Sequence, residues 1–224
     1  MSKTLISIHD LTVRYDTTTA LEQVDLEIFD DDFLGVIGPN GGGKTSLVRA
    51  ILGNIPCQGT IRYAPELYRG NERLIGYLPQ QNAFDRAFPI SVIETVLSGL
   101  QGRKRFRHRY TAHDREQAFS LLELTGIAPL AQRPVGEISG GQMQRALLCR
   151  AIISEPRLLI LDEPANFVDN QFENELYHLL AELNRRMAIV MVSHDLGTIS
   201  SVVKNIVCVN RHVHRHDSNR IDEE

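Results

Sequence analysis

The stretch Gly38-Pro39-Asn40-Gly41-Gly42-Gly43-Lys44-Thr45 decides the fold that we predict for this chain. It fits the pattern G-x-x-x-x-G-K-[ST] at every fixed position. It follows the apolar run 33–37 and precedes a segment, 44–53, that can form a helix ending at its glycine. Glycines let backbone N–H groups turn inward, and a helix N-terminus adds positive potential, so such a loop can surround phosphate groups. The sequence therefore predicts a phosphate-binding loop between a buried strand and a helix.

Two side chains of this loop have predicted tasks of their own. Lys44 supplies a positive charge to the β- and γ-phosphates of a nucleotide, and Thr45 supplies a hydroxyl to Mg²⁺. The alternative is a glycine-rich turn whose lysine is merely solvated. The residues expected to contact the nucleotide here are Gly38, Pro39, Asn40, Gly41, Gly42, Gly43, Lys44, Thr45 and Ser46.

The pattern of apolar residues predicts an α/β fold around this loop. Purely apolar runs at 33–37, 158–161 and 188–192 are typical of buried strands, and helical patterns separate them. Alternation at 24–28 and a less regular run at 5–13 predict an antiparallel N-terminal β hairpin. We expect one domain, 1–224, with a mostly parallel core sheet. Residues 1–80 and 157–224 would form the core lobe, and 81–156 an inserted helical lobe.

An acidic pair ends the second apolar run. Asp162 and Glu163 follow Leu158-Leu159-Ile160-Leu161. Adjacent carboxylates at the end of a buried strand repel each other unless a cation or water reaches them. The functional interpretation is that Asp162 holds Mg²⁺ and Glu163 polarises the water that attacks the γ-phosphate. The alternative is an acidic turn ended by Pro164.

A second glycine-containing element, Ser139-Gly140-Gly141-Gln142, opens another predicted helix. Ser139 and Gln142 fit a capping box, which explains these two residues structurally. The box does not explain Gly140 and Gly141, because each glycine costs a helical turn up to about 1 kcal/mol relative to alanine. Close approach of a phosphate would explain them. Because the Lys44 loop already holds the phosphates on one side, we expect a second chain to present this helix to the other side.

Composition narrows the classes of function. The net charge of −4 provides no basic field, so we expect no nucleic-acid partner. No apolar run approaches the roughly 20 residues that cross a bilayer, and the N-terminal segment does not resemble a signal peptide. Cys57, Cys149 and Cys208 are scattered, and we expect them to be small apolar fillers in a reducing, cytoplasmic compartment.

These motifs, in this order, resemble the nucleotide-binding subunit of ATP-binding cassette (ABC) transporters over 15–194. The resemblance implies the ABC ATPase fold, ATP and Mg²⁺ as ligands, ATP hydrolysis coupled to transport, and a dimer of two copies. It also implies a site residue at each of four further positions. Tyr15 resembles the aromatic that stacks on adenine, and Gln80 the glutamine that reaches Mg²⁺ and the attacking water. Asp169 resembles the aspartate that crosses the dimer interface, and His194 the histidine on the γ-phosphate.

Some of these positions keep a structural alternative. Tyr15 could pack in the core, and Asp169 could cap the helix that carries Phe172. The resemblance as a whole implies Glu163, His194 and Gln80 as catalytic residues. Thr45, Gln80 and Asp162 are implied as the Mg²⁺ ligands.

Two further runs narrow the transporter class. Phe88-Pro89-Ile90-Ser91-Val92 with Glu94-Thr95-Val96, and Cys208 to His214, are similar to ATPases of zinc and manganese importers. This similarity implies uptake of a divalent transition metal, zinc ahead of manganese or iron. The implied partners are an integral membrane permease and, indirectly, an extracytoplasmic solute-binding protein. The chain would then lie on the cytoplasmic face of the membrane.

Several alternatives stay open on the sequence alone. His212, His214 and His216 could bind a metal from one face of a strand, but a solvated tail is favoured. The basic run 103–109 could face anionic lipid or be a solvated loop. Phe84 and Phe88 could form a socket for a permease helix or pack within the helical lobe. A soluble ABC ATPase that remodels or assembles other proteins is the alternative function, although the chain has one cassette and no long inserted arm. A P-loop kinase or GTPase would leave Ser139 to Gln142 without a purpose.

Overall fold

A computed structural model describes most of the chain. Five short internal gaps and the two ends are excepted, and the described residues are 2–80, 89–103, 109–164, 170–194, 199–200 and 202–216. The side chains of 102, 103 and 170–172 are also outside the description.

The centre of the molecule is a six-stranded sheet with the order β11-β10-β3-β9-β8-β7. Neighbouring strands are parallel throughout, except that β11 runs antiparallel to β10. Every residue of β3, β8 and β9 is buried, because both faces of the sheet are covered, and this explains their uninterrupted apolar sequences. The strands are β3 (Phe33–Ile37), β7 (Ile75–Leu78), β8 (Leu158–Asp162), β9 (Ala188–Val192), β10 (Asn205–Asn210) and β11 (His212–His216).

A second sheet covers one face of the first. It has the order β2-β1-β4, and both neighbouring pairs are antiparallel. Its strands alternate between buried and exposed residues where one face meets the core. The second sheet comprises β1 (Thr4–Tyr15), β2 (Thr18–Phe29) and β4 (Gln58–Tyr63), and a small hairpin adds β5 (Tyr68–Arg69) and β6 (Glu72–Arg73).

Five α-helices complete the described architecture: α1 (Lys44–Ile51), α2 (Val92–Leu97), α3 (Ala112–Leu124), α4 (Gly140–Ile152) and α5 (Asn170–Leu183). Helix α2 packs on α3 and α4. Ser91, Thr111 and Ser139 cap α2, α3 and α4, each through a reciprocal capping box. Short 3-10 turns lie at Pro65–Leu67, Ser98–Arg103, Ala128–Leu130 and Val135–Glu137.

The core sheet separates two apolar clusters. Alternate residues of β8 point to opposite faces: Leu159 and Leu161 pack with α2, α3 and α4, whereas Leu158 and Ile160 pack with α1 and the second sheet. This layered arrangement fixes the strand ends, because each strand is held on both faces.

The predicted α/β class, the mostly parallel sheet and the N-terminal hairpin are confirmed. Two sequence-based expectations are wrong. The histidine-rich segment is not a solvated tail, since residues 212–216 form β11 on the edge of the core sheet. Cys57 is exposed and therefore is not an apolar filler, whereas Cys149 is fully buried.

Candidate nucleotide-binding and hydrolysis site

The phosphate loop connects β3 to α1 and is wedged against two other strands. Gly38, Gly41 and Gly43 have positive φ angles of 150°, 80° and 107°, which favour glycine. A Cβ on Gly43 would lie 2.5 Å from the backbone oxygen of Ala20, so the space also requires glycine. The Arg211 N–H donates to the Gly42 carbonyl at 2.9 Å and ties the loop to β10 and β11. The predicted strand–loop–helix context is therefore present.

Lys44 closes the loop from inside. Its Nζ donates to the carbonyls of Gly38 at 2.7 Å and Pro39 at 3.0 Å, and only 7% of the residue is exposed. The first turn of α1 contains no acidic side chain, and Gly43 provides no side-chain cap. The helix therefore keeps N–H donors and a positive end for an anion at the position of the loop.

Tyr15 lies beside the start of α1. It ends β1, is 42% exposed, and its hydroxyl accepts a hydrogen bond of 3.4 Å from the Ser46 hydroxyl. The alternative that Tyr15 packs in the core does not hold. An exposed ring next to the loop has the position needed for a stacking contact with a base.

The acidic pair lies at the carboxyl end of β8. Asp162 is 3% exposed, and Glu163 follows it with a φ of 52°. Burial raises the pKa of the Asp162 carboxyl, and the neighbouring Glu163 raises it further, whereas Lys44 and Arg49 lower it. A cation bound at this carboxylate would favour its ionised form, so the arrangement suits a metal-binding acid.

Residues from three neighbouring strands meet at Glu163. The Gln80 Nε2 donates to Oε2 of Glu163 at 2.7 Å, and the His194 Nδ1 lies 3.5 Å from Oε1. Gln80 follows β7, Glu163 follows β8 and His194 follows β9. The structure thus brings together the three predicted catalytic side chains, although 83 residues separate the first two in the chain.

The donor set at this edge fits Mg²⁺ bound together with a nucleotide. Asp162 provides a carboxylate, and Thr45 and Gln80 provide a hydroxyl and an amide oxygen, which are the hard ligands that Mg²⁺ prefers. No group of three or more His, Cys, Asp or Glu side chains suited to a metal is found within the described residues. Mg²⁺ sites commonly take one or two carboxylates and complete their shell with phosphates and water.

The Ser139 to Gln142 element forms the N-terminus of α4. The Gln142 N–H donates to Ser139 Oγ at 3.2 Å, and the Ser139 N–H donates to Gln142 Oε1 at 3.0 Å. The capping box predicted from the sequence is confirmed. Ser139 is exposed and Gly140 and Gly141 are partly exposed, so this helix end faces outward.

Sequence reasoning missed Gln144 in the same helix. Its side chain is buried, and its Nε2 donates to the carbonyl oxygen of Pro164 at 3.0 Å. The available signal was a glutamine between Met143 and Ala146, where the helix pattern otherwise calls for an apolar residue.

Several predicted positions lie outside the described residues. These are Asp169, Phe84 and Phe88, and most of the basic run, including Lys104, Arg105 and Arg107. In the part of the chain that is described, no helix combines the length and apolar character required to cross a bilayer.

Comparison with known proteins identifies relatives over nearly the whole chain. The zinc import ATP-binding protein ZnuC of Pseudomonas putida is 39% identical over 216 residues, which is 95% of this chain and 77% of the relative. The ZnuC of Saccharophagus degradans is 40% identical over 220 residues, with 96% and 80% of the two chains covered.

Solved structures agree on the fold. A metal-chelate type ABC transporter in an inward-facing conformation matches with a TM-score of 0.83 and 27% identity, covering 96% of this chain and 84% of the other. A bacterial ABC transporter cassette solved as a dimer matches with a TM-score of 0.82 at 22% identity, covering 97% and 100%. The family description "ABC transporter" matches residues 21–166. The chain therefore belongs to the ABC transporter family, as an ATP-binding and ATP-hydrolysing cassette.

Proposed function

We propose that this chain is the ATP-hydrolysing subunit that powers import of a divalent transition metal, with zinc ahead of manganese or iron. The observation that carries the ATPase part is the position of Glu163, held by Gln80 at 2.7 Å beside the buried Asp162. The metal part rests on relatives that are named as zinc import ATP-binding proteins.

The proposed site is shared by two copies of the chain. The Lys44 loop of one copy binds the phosphates of ATP, and the Ser139 helix of the other copy closes over the γ-phosphate. The support is that each element offers an N-terminal helix end with glycines and that Ser139 is exposed. Closure would move the attached permease, and loss of the γ-phosphate would reopen the pair.

Within one site, Glu163 acts as the general base for the attacking water. Its carboxylate has one oxygen on the Gln80 amide and the other near His194, so its orientation is restrained from two sides. His194, with a largely exposed side chain, can donate to a γ-phosphate oxygen. Mg²⁺ held by Asp162, Thr45 and Gln80 would neutralise charge on the β- and γ-phosphates.

The remaining assignments complete the assembly. Tyr15 stacks on adenine, and Asp169 contributes to the interface between copies. Residues 1–80 and 157–224 form the core lobe, and 81–156 the helical lobe. This chain binds the integral membrane permease at the cytoplasmic face of the membrane. An extracytoplasmic solute-binding protein delivers the metal to the permease.

Replacing the base tests the enzymatic part. We expect Glu163→Gln to bind ATP with wild-type affinity, to lose at least about 100-fold in kcat, and to accumulate as an ATP-bound dimer in size-exclusion chromatography. Glu123→Gln, an exposed exchange on α3, is the matched control and should behave as wild type. Turnover by Glu163→Gln at the control rate would disprove the assignment of the base.

A bulky residue at the helix end tests the two-chain site. Ser139→Phe should abolish hydrolysis, while a single chain still binds ATP through its Lys44 loop. Loss of ATP binding by the monomeric variant would contradict the model of two chains sharing one site.

Growth and purification test the transport part. Cells that lack this subunit should grow poorly when zinc is chelated and recover with added zinc, and the protein should co-purify with a polytopic membrane protein. Normal growth under zinc limitation with a defect under manganese limitation would reassign the metal. Co-purification with soluble proteins alone would favour a remodelling ATPase.

A further inference from the structure

Gln144 is an amide buried where an apolar side chain would pack. It is 2% exposed and lies on α4 between Met143 and Ala146, which are both buried. Its Nε2 donates to the carbonyl oxygen of Pro164 at 3.0 Å. A carbonyl oxygen can only accept, so this contact fixes the orientation of the amide.

The other end of the same amide has no hydrogen-bond partner. Gln144 Oε1 is the one side-chain N or O atom, among those of the described residues, that is buried without a partner. Leaving a buried acceptor unsatisfied costs free energy, and an apolar residue of similar size would avoid this cost. Gln144 is therefore poorly suited to stability, and such local costs are often found at positions that serve function.

The contact joins two elements that the proposed function assigns to different nucleotides. Pro164 directly follows Glu163, which acts on the ATP held by its own chain. Gln144 lies five residues after Ser139 on the same helix, about 7–8 Å along the axis. Ser139 closes over the ATP held by the partner chain.

We propose that Gln144 is a positioning residue that couples the two nucleotide sites of the dimer. Its hydrogen bond fixes the end of β8 relative to the N-terminus of α4. When Ser139 docks on the partner's ATP, the shift of α4 passes through the Gln144 amide to the backbone beside Glu163. Each nucleotide thus helps to set the base at the other site. This inference rests on the proposed function, because it requires the shared dimeric site.

A volume-conserving substitution separates position from stability. Gln144→Met removes both polar ends, and we expect its Tm to stay within about 3 °C of wild type because the buried volume is kept. We expect kcat to fall about tenfold or more, since small displacements of catalytic groups have large effects on rate. The affinity for a non-hydrolysable ATP analogue should change less than twofold, and the Hill coefficient for ATP should fall towards 1.

Asn184→Leu is the matched control. Asn184 is another amide whose Nδ2 donates to backbone carbonyls, those of Asp32 at 2.8 Å and Met187 at 3.2 Å, at the opposite end of β9 from His194. It should lower Tm and leave kcat per folded molecule within twofold of wild type. A merely structural role for Gln144 would give this pattern in Gln144→Met as well, and that result would overturn the proposal.

Gln144→Leu covers the case in which the methionine variant does not fold. It also removes both polar ends of the side chain, and we expect kcat per folded molecule to fall about tenfold or more again. A wild-type kcat per folded molecule in this variant would overturn the proposal. If the wild-type protein itself fails to hydrolyse ATP or to dimerise, the proposed function fails; if only the Gln144 variants match wild type, the coupling role alone fails.

Discussion

Removing the guanidinium of Arg215 should destabilise the protein, because this guanidinium neutralises a buried carboxylate. Asp32 precedes β3 and is 2% exposed. Arg215 Nη2 lies 2.9 Å from Asp32 Oδ1, and Nη1 donates to Oδ2 at 3.3 Å and to the Glu27 carbonyl at 2.6 Å. The same guanidinium stands 5.1 Å from the centre of the Phe29 ring. One side chain of β11 therefore connects the core sheet to the N-terminal hairpin.

The contacts of Asp32 set the size of the effect. Breaking a buried ion pair by removing one partner costs about 3–5 kcal/mol, because the other charge stays buried. Asp32 keeps two donors, the Phe29 N–H at 2.8 Å and the Asn205 Nδ2 at 3.1 Å, so the lower end of this range applies. For Arg215→Met we therefore expect a loss of about 3 kcal/mol in the free energy of unfolding and a Tm lower by about 6–12 °C.

Urea unfolding followed by fluorescence or circular dichroism measures this loss, with Arg62→Met, an exposed exchange on β4, as the control. The double variant Asp32→Asn/Arg215→Met should recover part of the stability, because no buried charge is left. ATP affinity per folded molecule should be unchanged, since Asp32 and the phosphate loop lie at opposite ends of β3. A loss below about 1 kcal/mol, the range of surface ion pairs, would refute the argument.

Three further outcomes follow from local geometry. Gly43→Ala should weaken ATP binding more than tenfold, because its Cβ would meet a backbone oxygen at 2.5 Å. The control is Gly70→Ala, which also has a positive φ, 62°, but whose Cβ would have nothing within 4 Å, so it should bind ATP normally. Isothermal calorimetry measures both affinities. Burial raises the pKa of the Cys149 thiol to about 12, so the thiol stays protonated below that pH. Cys149 should therefore react with a thiol reagent only after unfolding, whereas the exposed Cys57 should react at once. Gln80→Ala should lower kcat about tenfold or more, because it removes a hydrogen bond that orients the proposed base; a wild-type kcat would contradict this role.

The elements that surround the phosphate loop were predictable because their burial is complete. Strands β3, β8 and β9 are buried at every residue, so their sequences are apolar throughout and stand out from the rest of the chain. The capping residue Ser139 was equally visible, since a capping box is a local pattern of side-chain hydrogen bonds. Local side-chain hydrogen bonds and continuous burial can both be predicted from a short stretch of sequence.

Elements that are held by contacts distant in the chain could not be predicted in this way. Strand β4 (Gln58–Tyr63) is largely exposed and is held by its backbone pairing with β1, so its sequence shows no buried face. Strand β11 is polar, yet Arg215 fixes it to Asp32 across 183 residues. The contact of Gln144 could not be predicted, because its partner, the Pro164 carbonyl, is a backbone group 20 residues away. Sequence patterns report burial and local bonding, whereas the partners in these three cases are distant in the chain.

The order of the strands explains why the catalytic candidates converge. The core sheet places β8 between β7 and β9, and parallel strands end at the same edge. A residue just after β8 is therefore flanked by residues just after β7 and β9, which are Gln80 and His194 around Glu163. Motifs alone could not establish this strand order, because the sequence of β7 contains no pattern that identifies β8 as its neighbour.

The same order sets the distance between the phosphate loop and the proposed base. β9 lies between β3, which leads into the loop, and β8, which ends beside Glu163. Two strand spacings of about 4.8 Å place these ends roughly 9–10 Å apart. A phosphoryl group with an attacking water in line requires a gap of this kind. If β3 and β8 were direct neighbours, the loop and the carboxylate would leave no room for the water, and Glu163 would face the phosphate itself.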